Sequence, residues 1–447
     1  MEQDLTTGSV FKRIVYFSLP YLLSYFLQTL YGMADLFITG QFYGVDTITA
    51  VSNGSQIMHM MTVIIVGLAM GTTVTIGHSV GAKCMEQAEK IIGNTITLFM
   101  GIAVVFTVIL VVLVKPIVVL IATPQEAVAG TSIYLLICFI GIPFITAYNI
   151  ISSIFRGLGD SKSPMYFIGI ACVMNIALDY LFMGAFHMGA AGAALGTVCA
   201  QTFSVLVALW VIRRRKTGIS LKKSDFKIER AVIGQVLKIG IPVALQDGFI
   251  QVAFMIITVI ANSRGVSDAA AVGIVEKVIS ALFIVPSSML ATVSALSAQN
   301  FGAGKEKRAT DTLRYATVIT TIYGVIVAVL IQFIAENVVG IFTSDTTVVT
   351  MGSAYIRSYI WDCIFAGIHF SFSGYFAACG KSYIGFLHNI ISITFVRVPG
   401  SYLASKYFTD TLYPMGLAAP AGSLVSVAIC VTAFILLKRK SRVAQTA

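Results

Sequence analysis

Asp35 and Asp179 are carboxylic acids inside long apolar runs. Each has a polar companion one helical turn earlier, Tyr31 before Asp35 and Asn175 before Asp179. Positions i and i+4 share a helix face, so each pair presents two polar groups side by side. A charge inside a bilayer costs several kcal/mol unless it is paired, hydrated or neutralised, which makes an intramembrane acid a functional candidate by default. Asp35, Asp179 and Tyr134 lie about five residues from the outer ends of their runs, and Thr197 about seven. At ~1.5 Å per residue all four sit at a similar depth, roughly 7–10 Å below the outer boundary. Two carboxylates, an amide oxygen and a hydroxyl form an all-oxygen set suited to a hard cation. Two adjacent carboxylates also resist ionising together, so a proton competes with Na⁺ for the same cage. The bland alternative is a set of separate polar helix contacts, each acid hydrogen-bonded to a tyrosine or to backbone.

The elements that must position these residues are membrane spans. The chain is 57% hydrophobic and 11% charged. It contains about twelve apolar stretches long enough to cross a ~30 Å hydrocarbon core. The expected spans are roughly 15–39, 49–75, 90–114, 129–155, 164–183 and 190–212, then 235–260, 269–298, 312–339, 348–376, 384–405 and 416–437. Of the 30 Lys and Arg residues, 24 fall in loops on one side, while the opposite loops hold Lys115, Arg264 and Lys406. Positive charge marks the cytoplasmic side, so both termini are expected there, in a multi-pass protein of the cell membrane. The net charge of +10 is therefore loop charge facing an anionic inner leaflet, and no nucleic-acid partner is expected.

The halves repeat. Gly44-Val45 matches Gly265-Val266, Gly81-Ala82 matches Gly302-Ala303, Tyr134 matches Tyr355, Phe155 matches Phe376 and Gly159 matches Gly380, all 221 residues apart. Pro20 and Pro242 differ by 222. Six spans per half return the chain to the cytoplasm before the second half begins. The halves then share one orientation and are related by a pseudo-two-fold axis along the membrane normal. The expected fold is all-α, twelve transmembrane helices in two parallel six-helix bundles. Residues 1–212 form the bundle with the cation site, 213–230 a cytoplasmic linker and 231–447 the second bundle.

The segment Pro20 to Gly44, the inner loop at Gly81-Ala82, the stretch Phe155 to Pro164 and the repetition of these features resemble the multidrug and toxic compound extrusion (MATE) family over essentially the whole chain. The resemblance implies export of organic, often cationic, compounds against inward flow of Na⁺ or H⁺. The archaeal and DinF-like branch of that family carries a cation site in its first bundle. Its pattern is a first-helix Asp with a Tyr one turn earlier, a fourth-helix Tyr, an Asn-x-x-x-Asp on the fifth helix and a sixth-helix Thr. Tyr31, Asp35, Tyr134, Asn175, Asp179 and Thr197 fill every position. If the ion is Na⁺, its ligands are Asp35, Asn175, Asp179 and Thr197. Pro20, fifteen residues before Asp35, is similar to the proline at which that branch bends its first helix. The NorM-like branch adds acids in the second bundle. Asp247 and Asp362 lie on the corresponding helices without matching that pattern position by position.

The second half has no such cage, since the counterparts of Asp35 and Asp179 fall near Ile256 and Gly400. Its intramembrane charges are Glu276, Lys277, Arg357, Asp362 and Arg397. They read first as groups that neutralise one another or snorkel. The sharper reading puts Asp247, Glu276 and Asp362 on the substrate path. His59, His369 and His388 on apolar helices read as hydrogen-bonded helix contacts rather than proton relays. Gly67/Gly71, Gly77/Gly81 and Gly192/Gly196 have the small-xxx-small spacing of close helix packing. The seven cysteines show no C-x-x-C pairing, and no Walker loop, G-x-G-x-x-G, G-x-S-x-G or H-E-x-x-H is present. Residues 1–13 mix acids and bases, unlike a cleaved signal peptide. The reading is a monomeric, cation-coupled efflux antiporter, not an enzyme, with a small organic substrate, membrane lipid around it and no cofactor besides the coupling ion. One rival is a flippase for lipids or lipid-linked saccharides. A second, from another class, is a membrane enzyme or receptor.

Overall fold

The computed structural model describes residues 4–214 and 220–446. Residues 215–219, within the basic linker, lie outside the described residues. Every regular element described is helical. Eight helices are long and apolar enough to cross a membrane, or nine when one bent pair counts as a single span. The protein is an all-α, polytopic membrane protein. Its chain divides into two compact units. One is built on Val15–Ala244 with Ala298–Gly304, the other on Leu245–Ser297 and Lys305–Ala447 with Gly8–Ile14.

The first unit holds α1 (Val10–Phe42) from Val15 on, α2 (Val45–Gly81), α3 (Met85–Leu120), α4 (Gln125–Ile140), α5 (Ile142–Gly157), α6 (Lys162–Asp179), α7 (Gly189–Arg214), the start of α8 (Arg230–Asn262) and the last turn of α10 (Ile284–Gly302) from Ala298 on. A π-helical turn, Tyr180–Ala185, follows α6 directly. The most apolar window of α3 has mean hydropathy 3.0 and is only 11% buried, whereas that of α2 is 61% buried. So α3 spends its apolar surface on lipid, and α2 spends its own on protein. Glycines let neighbours reach the α2 backbone. A Cβ on Gly71 would lie 2.1 Å from the Val236 carbonyl oxygen. One crossing is reciprocal: a Cβ on Gly81 would lie 2.0 Å from the Gln299 oxygen, and one on Gly302 2.0 Å from the His78 oxygen. These are the glycines that the repeat pairs.

The second unit holds the rest of α8, α9 (Val266–Leu282), α10 as far as Ser297, α11 (Glu306–Gly340), α12 (Thr346–Tyr359), α13 (Asp362–Ala378), α14 (Tyr383–Ser392), α15 (Val398–Tyr407) and α16 (Tyr413–Thr446). A π-helical segment, Ile393–Arg397, joins α14 to α15. Asp345 caps α12, its Oδ1 accepting from the Thr347 N–H at 2.8 Å. In the first unit Asp160, one residue before the α6 N-cap Ser161, accepts from Lys162 N at 2.9 Å and Ser163 N at 3.0 Å.

Several expected single spans are broken helices. α4 and α5 meet at 51°. Pro143 lacks the N–H that would bond the Phe139 carbonyl, and Thr107 Oγ1 donates to that carbonyl instead, at 3.1 Å. The break between α9 and α10 repeats the device: Pro286 strands the Leu282 carbonyl, which accepts from the Tyr323 hydroxyl at 2.9 Å. Between α12 and α13 no proline is involved, and Gln332 Nε2 donates to the Arg357 carbonyl at 2.9 Å. Hydropathy averages over such breaks, because the flanking residues remain apolar. By contrast α1 runs helical through Pro20.

The described part of the linker is clamped to α3. Its short turn Lys223–Phe226 sits against Gly93, where a Cβ would lie 2.4 Å from the Asp225 carbonyl oxygen. Asn94 bonds it on both sides, Nδ2 donating to Asp225 O at 3.1 Å and Oδ1 accepting from Glu229 N at 2.7 Å. Thr97 Oγ1 adds a bond to Phe226 O at 3.0 Å.

Candidate functional site

Four of the six sequence candidates meet around one carboxylate in the first unit. Asp35 on α1 is buried, and Thr197 Oγ1 from α7 donates to its Oδ2 at 3.3 Å. The Asp179 carboxyl and the Asn175 side chain, both on α6, also adjoin it. Tyr31 and Tyr134 complete the neighbourhood: Asp35 stands close to both rings, and Asp179 close to Tyr134.

The helices are fixed to bring these groups together. Asp179 is the last α-helical residue before the π-helical turn. Tyr43 staples that turn to α1 and α7, donating to Met183 O at 3.0 Å and accepting from Gly189 N at 2.9 Å. Within α1, Thr39 Oγ1 donates to Asp35 O at 2.6 Å. Gly196 on α7 leaves the space that Asp179 fills, since a Cβ there would lie 2.1 Å from Asp179 Oδ1. Gly54 does the same for Tyr134, with a hypothetical Cβ 2.2 Å from the ring.

Five buried polar atoms in this cluster have no hydrogen-bond partner in the protein: Asp35 Oδ1, both carboxylate oxygens of Asp179, and both amide atoms of Asn175. Each such atom costs about 1–3 kcal/mol left alone, and more when charged. Four of them are oxygens, so a small cation or protons would satisfy the acceptors. The donor set has no thiolate or imidazole and suits a hard ion. Among the described residues no group of three or more His, Cys, Asp and Glu side chains forms a metal-binding cluster.

Three participants were not anticipated from the sequence. Gly196 was read only as a packing residue. Gly54 gave no local signal. Gln201, one turn beyond Thr197 on α7, is buried beside Tyr31. Its i+4 spacing from Thr197 was the available clue.

The second-half charges form a different cluster inside the second unit. Arg397, at the end of the π-helical segment, lies close enough to Glu276, Asp362 and the tyrosines Tyr355 and Tyr359 to interact with each by charge. Its guanidinium donates to the Tyr359 hydroxyl and lies 4.9 Å from the Phe254 ring centroid. Thr258 Oγ1 donates to Glu276 Oε2 at 3.3 Å. Arg357 is apart from this group and pairs with Glu336 at 3.2 Å. Lys277 is exposed and Asp247 half-buried. Arg156 lies 4.0 Å over the Tyr21 ring.

An apolar groove of about 580 Å³ opens between α1 and α6, walled by residues including Leu23, Leu27, Met165, Tyr166 and Ile170. None of the six polar candidates lines it.

A family model described as MatE matches the chain twice, over residues 20–181 and 242–403. The two matches are offset by 222 residues, the Pro20–Pro242 spacing. The chain is 30% identical over 415 residues to the probable multidrug resistance protein YpnP of Bacillus subtilis (strain 168), covering 93% of each. It is 24% identical over 374 residues to the multidrug export protein MepA of Staphylococcus aureus (strain MSSA476), covering 83% of this chain and 82% of that one. Its fold superposes with TM-score 0.91 and 20% identity on an outward-facing multidrug resistance MATE family transporter of the MOP superfamily, over 100% of this chain and 99% of that one.

Proposed function

Since the chain belongs to the MATE family and is a membrane transporter, not an enzyme, we propose that it is a secondary active antiporter. It exports organic, cationic or amphiphilic compounds in exchange for Na⁺ or H⁺. The observation that carries this reading is the buried Asp35–Asp179 pair, two adjoining carboxylates whose oxygens are largely without partners in the protein. Such a pair gains most from a bound cation. An ion that binds one conformation better than another shifts the equilibrium between them, which is what coupling requires.

The accompanying architecture is twelve transmembrane helices in two parallel bundles, residues 1–212 and 231–447, joined by the linker 213–230. Grouping the broken helices into single passages gives α1, α2, α3, α4–α5, α6, α7, α8, α9–α10, α11, α12–α13, α14–α15 and α16. The doubled family match supports a two-fold relation. The basic loops support cytoplasmic termini. Asp35, Asn175, Asp179 and Thr197 hold the ion, with Tyr31 and Tyr134 beside it. Pro20 is the bending point of α1, and Asp247, Glu276 and Asp362 serve the substrate path. The protein acts as a monomer.

The names of the relatives, a multidrug resistance protein and a multidrug export protein, support drug export over the flippase rival. So does Arg397, which is buried among its own acids and tyrosines and not offered to a polyanionic lipid. The test is transport in proteoliposomes with Na⁺ and pH gradients imposed separately, against a panel of lipophilic cations and lipid-linked saccharides. Cation export driven by either gradient is the expected result. Gradient-independent movement of lipid alone would contradict it.

A further inference from the structure

The linker turn held against α3 exposes basic and apolar side chains together. Between Ser220 and Arg230, Lys222, Lys223, Lys227 and Arg230 are exposed, and so are Leu221, Phe226 and Ile228. Asp225 is the exception: it is buried, and its carboxylate accepts from the Lys222 N–H at 2.7 Å. Glu229 is the other acid of this stretch, and Asn94 holds its N–H. On α3 itself Glu86 pairs with Lys90 at 3.6 Å, and Glu89 accepts from the Ser220 N–H at 2.6 Å. Much of the turn's backbone is satisfied within the protein. Asp225 N–H bonds the Lys222 carbonyl at 3.0 Å and Lys227 N–H the Ser224 carbonyl at 3.1 Å. Asn94 and Thr97 of α3 donate to the Asp225 and Phe226 carbonyls. A segment that rests at membrane depth needs its backbone groups paired in this way.

The depth and direction of the turn are set by α3. Asn94 and Thr97 lie four and seven residues past Lys90, where the apolar run begins. At ~1.5 Å per residue that is roughly 6–10 Å along the helix. Interfacial amphipathic segments rest at about this depth, ~5–10 Å into the headgroup and acyl boundary. Beyond Thr97, the residues at i+4, i+7, i+11 and i+15 share its face: Gly101, Val104, Val108 and Val112. All are exposed, and each of the three valines is more than half so. Such a stripe on a membrane helix meets lipid tails. It ends at Thr97, whose hydroxyl holds Phe226 O. We propose that this corner binds one anionic phospholipid, its acyl chains along the valine stripe and its phosphate among Lys222, Lys223 and Lys227. The surface has the two parts that such a lipid has, and they adjoin in the same order, apolar above and charged below. Phe226 and Ile228 fill the interface between them. Helix α3 supplies the tail contact and, through Asn94 and Thr97, fixes where the lysines stand. The site goes beyond the antiport reading and does not depend on it, since it requires only that the chain lies in a membrane.

The test is native mass spectrometry of the full chain in detergent, titrated with phosphatidylglycerol or with phosphatidylcholine of the same acyl chains. The unmutated protein should hold one phosphatidylglycerol more tightly than any phosphatidylcholine. Replacing Lys222, Lys223 and Lys227 together by Gln should weaken that one lipid on the order of a hundredfold, at roughly fivefold per lysine, and leave phosphatidylcholine binding unchanged. The single Lys→Gln variants should each take their own share, which gives a graded series should the triple variant fold poorly. A control neutralised at Lys307, Lys381 and Lys438, exposed lysines of the second unit, should retain the lipid. Equal loss in the two triple variants would assign the preference to the charge of the whole protein and overturn the site. An unchanged titration in the linker variant would overturn it as well. Displacement of the lipid by millimolar glycerol phosphate would mark a site for a soluble anion, and the phospholipid proposal would fall.

Discussion

Gly196 faces the Asp179 carboxylate so closely that a single added methyl group would lie 2.1 Å from Oδ1. The small residue on α7 is part of the acid pair's geometry. Carboxylate, glycine and the neighbouring Thr197 hydroxyl form one unit built from two helices that also pack along their length. That explains how two acids are held together in a setting where each alone is costly.

Gly196→Ala should therefore leave the helices assembled and move the Asp179 carboxylate, the mobile end of a side chain, away from Asp35. If this weakens cation binding by about 1.4 kcal/mol, affinity for the coupling ion falls on the order of tenfold. The measurement is the dependence of export on ion concentration in proteoliposomes, with Gly192→Ala as a packing control. Equal loss in both variants would assign Gly196 to packing alone.

Asn94→Ala should destabilise the first unit. It strands the buried Asp225 carbonyl, at about 1–3 kcal/mol, and frees the Glu229 N–H, which is partly open to water and costs less. Thermal unfolding in detergent should begin at lower temperature, and proteolysis between Arg213 and Arg230 should accelerate. Thr97→Val, which removes one bond, should do less. An unchanged melting profile for Asn94→Ala would show that the clamp is incidental.

Sidedness is checked by thiol labelling. Asp46 and Asp410 are exposed, and cysteines placed there should react only from outside. The native Cys84 is exposed in the loop between α2 and α3 and should react only from the cytoplasm. So should labels at Thr217, which lies outside the described residues, and on the C-terminal tail. Reaction of both sets from one face would invert the topology.

Much of the candidate site was legible in the chain, because its signals are local. An acid in an apolar run, a polar partner at i+4 and a common distance from the run's end can each be read without knowing which helices touch. Gly196, Gly54 and the packing of His369 on His388 could not be read that way. A glycine's role depends on what faces it across the helix interface, and two histidines nineteen residues apart have ring centroids 5.3 Å apart only because α13 and α14 fold back on each other. The helix breaks were half visible. Pro143 and Pro286 stood in the sequence, but the Thr107 and Tyr323 hydroxyls that satisfy the freed carbonyls come from other helices. The Ile360–Trp361 break had no proline to announce it. The second-half charges divided in a way that spacing could not show, Arg357 toward Glu336 and Arg397 toward Asp362 and Glu276.

The most direct test of the account is gradient-driven uptake of a fluorescent organic cation into everted vesicles carrying the Asp35→Asn, Asp179→Asn double variant, with expression and folding checked in parallel. Asparagine keeps the shape of each side chain and removes the charge that would hold the coupling ion. The account predicts that uptake is lost while the substrate still binds, that Asn175→Ala and Thr197→Ala are milder, and that Ile256 tolerates apolar substitution. Coupled uptake at the unmutated rate in the double variant would contradict it, and would move the ion site to the Glu276–Asp362–Arg397 cluster.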